Sequence, residues 1–450
     1  VDLRTQLQRF LPHAAAAALI VWIYVRFGGA WMERAFRRVA VAPRGRFVAT
    51  AVALTLATRL VLLPAIRPAY DADVREYCEK AAAIARDGDP RAQETRADGT
   101  RFYRTLGYSL PLAGWYRVTG MPETPEGRLR SAQAFDLLAA CGVAALLVAL
   151  GRAIGRETAG RVASLVYATF LPAAVFALVP YTETWATFLV VASVLAFEKM
   201  RRAQGRAAVA HGAAFGLLQG LLLITRTEFV LMPLVATAWL VAERRAKSAV
   251  PLAAAAALLL VPFAVNHEMR DGYKGHLRTS VQGGLILYYG NNPIAVNGYG
   301  NATPAVVSHV ASLYARDPTG GAAASEALDW MEAHPLRVVA NAPKKLYHLW
   351  LGEPQGFTWH IAAGREGGTN LLLADLLRHA AWVQSLVLLA FGVAGLARRG
   401  GFGFWTAVAA AHAATWCLLA ASTRNRYPVE PLVMVAAAAW LETRRSSASG

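Results

Sequence analysis

Seven charged residues of this chain stand where long apolar runs give out: Asp71, Asp73, Glu183, Arg226, Glu228, Arg424 and Arg426. Charge at the edge of an apolar run is costly and reads by default as functional. A fixed carboxylate can take a proton from an attacking hydroxyl or amine. Arginine, planar and permanently charged, is the natural ligand for a phosphate. Asp73 lies in Tyr70-Asp71-Ala72-Asp73-Val74-Arg75-Glu76-Tyr77, with Asp71 as the competing carboxylate. A plainer reading applies to each. Asp73 with Glu76 three residues on is a capping box for a helix that Gly88 would end. The arginines can snorkel to headgroups or pair with Glu228 and Glu430. Capping and catalysis are compatible, because a cap holds a carboxylate rigidly. Asp73, Glu76, Tyr77 and Lys80 would share one helical face.

The elements that must place these groups are membrane spans. The chain has 450 residues, 56% hydrophobic and 17% charged, and its mean hydropathy is +0.34. Runs of about 20 apolar residues cross a bilayer. The candidates are Leu11–Phe27, Phe47–Ile66, Ser131–Leu150, Val162–Val179, Thr184–Phe197, His211–Ile224, Phe229–Val241, Ala249–Val265, Leu376–Leu396, Phe402–Ala420 and Pro428–Leu441. The expected fold is an all-α polytopic bundle of about 11 transmembrane helices. Loops rich in arginine alternate with loops poor in it. One set holds Arg34 to Arg46, Arg152 to Arg161, Lys199 to Arg206, Arg244 to Lys247, Arg398, Arg399, Arg444 and Arg445. The positive-inside rule makes that set cytoplasmic. All seven charged corner residues then fall on the external face.

The net charge of +17 is explained by those loops, and no helix-turn-helix or stacking-rich basic domain suggests nucleic acid. Three cysteines, Cys78, Cys141 and Cys417, form no CxxC pair. No histidine spacing suggests a metal site built by the protein, and none is expected. Arg59 and Asp136, inside spans, are expected to pair with each other or with backbone. Leu11–Phe27 reads as an extra N-terminal span or interfacial helix, not as a cleaved signal.

Four regions follow. Residues 1–46 carry the extra span and a cytoplasmic linker. Residues 47–265 form the transmembrane core, including an external loop at 67–105. Residues 266–375 form a long external region with juxtamembrane helices. Residues 376–450 hold the last spans and a short cytoplasmic tail. The external region has a Gly- and Asn-rich stretch from Gly283 to Pro293 and helical patterns at Ala322–His334 and Pro335–Trp350. The second pattern mixes apolar residues with Lys344 and Lys345 and suits a helix lying on the membrane surface.

Read in order, these elements resemble the GT-C glycosyltransferases, specifically family 39-like and aminoarabinose-transferase-like enzymes. An acidic residue and a "Y…A…G" helix match Asp73, Tyr77, Ala81 and Gly88. A "PPGYP" element is reduced to Thr105-Leu106-Gly107-Tyr108-Ser109-Leu110-Pro111. An "LGRRLFGRRAG" turn matches Leu150 to Gly160. The "TE" corner is Thr182-Glu183, and the "LTRPE" corner is Ile224-Thr225-Arg226-Thr227-Glu228. "GGLNLYIGNNP" is nearly intact at Gly283–Pro293, and "RYxxPxxP" matches Arg426-Tyr427-Pro428-Val429-Glu430-Pro431. The likeness runs from about Phe47 to Leu441. It departs in the missing double proline near Arg104 and in the split pair Asp71-Ala72-Asp73.

The resemblance implies a sugar donor carried on a polyprenyl phosphate and inverting transfer to an envelope acceptor, which would be a lipid, a glycan or a protein. It implies Asp73 as base, with Asp71 as the alternative. Arg226, Arg424, Arg426 and Arg104 would attend the lipid phosphate. Glu183, Glu228, Tyr77, Tyr108, Tyr288 and Asn291, with Tyr289, would shape the sugar or acceptor side. No cofactor is implied beyond the lipid-linked donor. The implied setting is the plasma (inner) membrane of a bacterium, multi-pass, with the site facing the periplasm. A transporter or flippase for a lipid-linked sugar is the alternative, and a non-catalytic assembly partner a third. Inverted repeats and broken spans would favour transport, and neither is evident in the sequence.

Overall fold

The computed structural model describes residues 3–27, 34, 38–66, 72–88, 106–243, 249–268, 282–294, 304–317, 320–354, 371–396 and 403–448. Asp71 and Arg104 lie outside the described residues. Among the described residues every regular element is helical. In chain order, the first are α1 (Leu3–Phe27), α2 (Arg44–Leu62), α3 (Ala72–Asp87), α4 (Leu106–Thr119), α5 (Pro125–Ala153) and α6 (Glu157–Thr169). There follow α7 (Leu171–Phe176), α8 (Thr182–Met200), α9 (Gly205–Leu223), a 3-10 turn (Thr227–Val230), α10 (Leu231–Ala242) and α11 (Ala249–Glu268). The rest are α12 (Gln282–Gly290), α13 (Pro304–Arg316), α14 (Gly321–Ala333), α15 (Pro335–Trp350), α16 (Leu371–Leu396), α17 (Phe404–Leu418), a 3-10 segment (Thr423–Val429) and α18 (Glu430–Ala448).

Among the described residues four helical stretches are long and apolar enough to cross a membrane: Arg44–Leu62, Pro125–Ala153, Gly205–Leu223 and Leu372–Gly395. Three shorter apolar stretches accompany them, Phe10–Ile23, Thr227–Ala242 and Val250–Pro262. One expected span is not a single helix. Val162–Val179 breaks at Phe170, whose backbone is extended, and α7 restarts behind Pro172. Proline pre-sets the first turn of a helix and cannot sit inside one without loss.

The longest element shows how sequence writes a helix. Thr124 caps α5 by accepting from the Gly127 N–H at 3.1 Å, Pro125 opens it, and Glu126 and Arg152 complement its dipole. Its inner face, including Val143, Ala144 and Leu147, joins α6, α8, α9, α17 and α18 in one apolar core. α9 meets α11 through Gly212, Gly216 and Gly220. At each, a Cβ would strike the Pro251, Ala255 or Leu259 backbone within 2.5 Å. Small residues four apart let two apolar helices approach where burial from water supplies no drive.

α1 lies against α16, where the His13 ring stacks on Trp382 at 4.1 Å. α12 packs on α14, with Tyr288 in a small satellite core beside Val306, Val310 and Leu313. Thus the Gly- and Asn-rich stretch is a short helix, and a further helix, α13, precedes the two expected in this region.

α15 reverses the usual amphipathic sense. Leu336 and Val339 are 83% and 70% exposed, while Asn341 and Lys345 are buried. Apolar residues outward and polar residues inward suit a helix against lipid. Lys345 is buried on the inner face, where its Nζ donates to Asn291 Oδ1 at 3.1 Å and to the Leu418 carbonyl at 3.3 Å. Burial pushes this amine down to about 8 from 10.5.

Between those two values the unfolded chain holds a proton that the folded chain has lost. Stability against denaturant should therefore rise as pH climbs from about 8 to 10.5, as measured by unfolding of the detergent-solubilised protein. In Lys345→Met that rise should be absent.

Candidate active site

Four stretches that are remote in sequence meet at one end of the bundle. The first is α3. Its C-terminus is fixed by Gly88, which takes the left-handed φ of +71° that glycine tolerates. Arg117 of α4 donates to the last α3 carbonyls, Ile84 and Ala85, at 2.9 Å each. Below, Tyr77 sits edge-on to Tyr108 at 5.4 Å, and Arg128 pairs with Glu79 at 3.3 Å. α3 is thereby clamped to α4 and α5, and Asp73 projects from its first turn.

The second and third stretches are the Tyr181–Glu183 and Arg226–Glu228 corners. α4 aligns the latter through a close approach at Gly107. Its N–H donates to the Ile224 carbonyl at 2.9 Å, and a Cβ there would lie 2.1 Å from Thr225 Oγ1. The Gly107 carbonyl in turn accepts from Trp185 Nε1 at 2.9 Å. Glycine here permits a contact that any side chain would forbid. The fourth stretch is the 3-10 segment bearing Arg424, Asn425 and Arg426.

Glu183 is the hub. Its Oε1 accepts from Arg226 Nη1 at 2.9 Å and from Arg424 Nε. Arg226 spends its fork on further fixed acceptors: Glu228 Oε1 at 2.5 Å, Thr182 Oγ1 at 3.3 Å and Asn425 Oδ1 at 3.0 Å. Arg424 reaches the other way, to Asp73 Oδ2 at 3.3 Å, with its guanidinium 4.3 Å above the Tyr181 ring. Side-chain exposure rises along this path, from 0% at Glu183 and 8% at Arg226 to 17% at Arg424 and 27% at Asp73. The gradient decides which groups can meet a substrate: Asp73 and Arg424, with Glu183 and Arg226 holding them from below.

The charges answer one another. Burial by itself would raise Glu183, but Arg424 and Arg226 outweigh it and hold the carboxyl below its ordinary value. Burial would likewise lower both arginines. Glu228 and Glu183 raise Arg226 instead, and Glu183 and Asp73 raise Arg424.

Other expected site residues are placed differently. Arg426 turns from the cluster to Glu430 Oε1 at 2.6 Å and to the carbonyls of Trp350 and Leu349 at 2.5 and 3.3 Å. It docks α15 on the 3-10 segment. Tyr108 is fully buried and donates to Asp136 Oδ2 at 2.9 Å. Asp136 therefore does not pair with Arg59, which donates to the Ala168 and Tyr167 carbonyls at 2.5 and 3.1 Å. Asn291 donates to the Leu287 and Leu418 carbonyls at 2.9 and 2.6 Å. With Tyr288 in the satellite core, this part of the Gly- and Asn-rich stretch joins helices to one another. Asn425 and Tyr181 were not expected in the site. Their only sequence signal is adjacency to Arg424 and Thr182. Among the described residues no group of three or more His, Cys, Asp or Glu is placed to hold a metal ion.

No family model matches the chain, and no curated protein matches it in sequence. Solved structures that match include an oligosaccharyltransferase and ArnT. An Archaeoglobus fulgidus oligosaccharyltransferase tethered to an acceptor peptide matches at 12% identity and TM-score 0.45, over 90% of this chain and 50% of its own. The same enzyme with zinc and sulfate matches at 14% and 0.47, over 89% and 49%. ArnT from Cupriavidus metallidurans bound to undecaprenyl phosphate matches at 14% and 0.39, over 91% and 80%. The chain spans about half the length of the oligosaccharyltransferase chains it matches.

Removing one partner of a buried ion pair leaves the other charge uncompensated, at a cost of about 3–5 kcal/mol. Glu183→Ala should lose stability on that order, read as the unfolding free energy in detergent. The stabilisation from Glu183 is complete above its ordinary value of 4.5 and fades as pH falls through its lower folded value. Glu183→Gln should lack this acid-dependent step.

Proposed function

We propose that this chain is an inverting glycosyltransferase that moves a sugar from a polyprenyl-phosphate donor to an envelope acceptor. The observation that carries the reading is the Arg424 bridge. One guanidinium joins the partly exposed Asp73 to the buried Glu183, at the meeting point of four corners whose sequence order resembles that of such enzymes. The site would face the exterior of a bacterial plasma membrane. That assignment follows from the arginine-rich loops at the opposite helix ends.

Asp73 takes the proton from an acceptor hydroxyl or amine as that group attacks the anomeric carbon. The bond from that carbon to the phosphate oxygen breaks, and polyprenyl phosphate leaves with one more negative charge than the diester carried. Charge grows on the phosphate during this step, so a fixed cation beside it favours the transition state over the ground state. Arg424 is the cluster's most exposed guanidinium and serves that role. Its bond to Asp73 also orients the base. Arg226, committed to four acceptors, positions Glu183 and through it Arg424. Arg104, from outside the described residues, is the candidate for a second phosphate contact. Tyr77 and Tyr108 support α3 from beneath.

The test uses purified protein in lipid nanodiscs with a panel of polyprenyl-phosphate sugars and candidate acceptors, following release of polyprenyl phosphate. One donor should turn over. Asp73→Asn should lower the rate by about 10²–10⁴-fold, the usual worth of a general base, with donor binding kept within a few-fold. Full activity in that variant would move the base to Asp71. Tight donor binding without cleavage in the wild type would instead favour the flippase.

A further inference from the structure

The other end of the bundle carries a second built feature. α8 begins at Thr182, with Glu183 of the candidate active site in its first turn, and runs 19 residues to Met200, about 28 Å at 1.5 Å per residue. Around its far end, α2, α5, α8 and α9 enclose a cavity of about 650 Å3. Five basic side chains line it: Arg44 from the start of α2, Arg152 from the last turn of α5, Lys199 and Arg202 from the end of α8, and His211 from α9. Among the described residues no carboxylate lines it. Arg44 is held by Glu157 at 3.2 Å, and Arg202 lies 3.7 Å from Glu198. Among the described residues Arg152 and Lys199 have no ion-pair partner.

Like charges gathered in one concavity repel, and a cleft of one sign concentrates counter-ions of the other. The same cavity has an apolar wall, made by Val48, Val148 and Ala149 on the facing flanks of α2 and α5. A free anion would satisfy the cations and leave that wall wet. An amphiphile with a phosphate head and acyl tails covers both. We propose that this cavity binds an anionic glycerophospholipid of the leaflet opposite the candidate active site, its phosphate between Arg152 and Lys199 and its chains along α2 and α5. Basic pockets between membrane helices hold such headgroups, at about 1 kcal/mol for each cation. The proposal does not depend on the reaction assigned to the opposite end, and its test involves no glycosyl donor.

The test is native mass spectrometry of the full chain released from mild detergent. Equimolar phosphatidylglycerol and phosphatidylcholine compete for it, with glycerol 3-phosphate offered in a separate arm. Wild type should retain phosphatidylglycerol preferentially and show no stable adduct with glycerol 3-phosphate. The Arg152→Ala/Lys199→Ala double variant should bind phosphatidylglycerol about 25-fold more weakly, about fivefold for each cation. Arg206→Ala removes a charge from the same end but outside the cavity and should leave binding unchanged. Should the double variant fail to fold, wild-type selectivity and the charge-keeping pair Arg152→Lys/Lys199→Arg still decide, since both should retain the anionic lipid. Equal retention of the two lipids by wild type, or unchanged binding by a folded double variant, would sink the proposal. Binding of glycerol 3-phosphate as tight as that of phosphatidylglycerol would replace it with a site for a free phosphate.

Discussion

A carboxylate with no exposed surface must find its counter-charge inside the protein or give up its own. Glu183 finds two, Arg226 and Arg424, and both arrive from far along the chain. That requirement organises one end of the molecule. To reach Glu183, Arg226 needs the corner after α9 held in place, which the close contact at Gly107 provides. Arg424 needs the 3-10 segment before α18 turned inward, which Arg426 secures by gripping Glu430 and the end of α15. The reward of the arrangement is directional. Charge buried at Glu183 is transmitted outward through Arg424 to Asp73, so the most exposed carboxylate of the cluster is also held by the deepest one.

Helix packing makes the convergence affordable. α5, α8 and α9 are rich in Ala, Val and Gly, and they approach closely without large side chains to interlock. Lipid offers no hydrophobic drive for helix association, so close backbone approach and satisfied polar groups must supply it. Both are present: Thr55, Ser164 and Thr187 return their hydroxyls to carbonyls four residues back or on a neighbouring helix. The bundle presents its polar groups at two ends, acid and arginine at one and mostly base at the other. The two ends differ in kind. At the first, charges of both signs pair within the cluster; at the second, Arg152 and Lys199 face a cavity with no acidic residue among the described residues of its lining.

Much of this was legible in the sequence because the signals were local. The α5 cap and its opening proline, the Gly88 terminator, and the helices at Gly321–Ala333 and Pro335–Trp350 each depend on a few neighbouring residues. So did the corner residues, since an apolar run that ends in charge marks itself. What the sequence did not show was decided by contacts far along the chain or by a break that hydropathy does not register. Lys345 finds its acceptors on Asn291 and Leu418, 54 and 73 residues away. The Asn291 amide joins α12 to the end of α17, a contact across 127 residues that its motif does not announce. Val162–Val179 looked continuous by hydropathy, which does not register the break before Pro172.

The sequence by itself determined that the chain is helical and membrane-embedded, and which charged residues stand at helix ends. Those are properties of composition and of spacing within a turn or two, where neighbours along the chain are neighbours in space. It also supplied the candidates, Asp73, Glu183, Arg226 and Arg424, as types able to move a proton or hold a phosphate. Only the tertiary structure decided how they divide the work. Arg226 and Arg426 are both arginines at apolar boundaries, yet one joins the cluster and the other leaves it for Glu430. Pairing energy depends on distance and on how much water is excluded, and for Glu183 both are set by stretches 43 and 241 residues away in sequence coming to rest beside it.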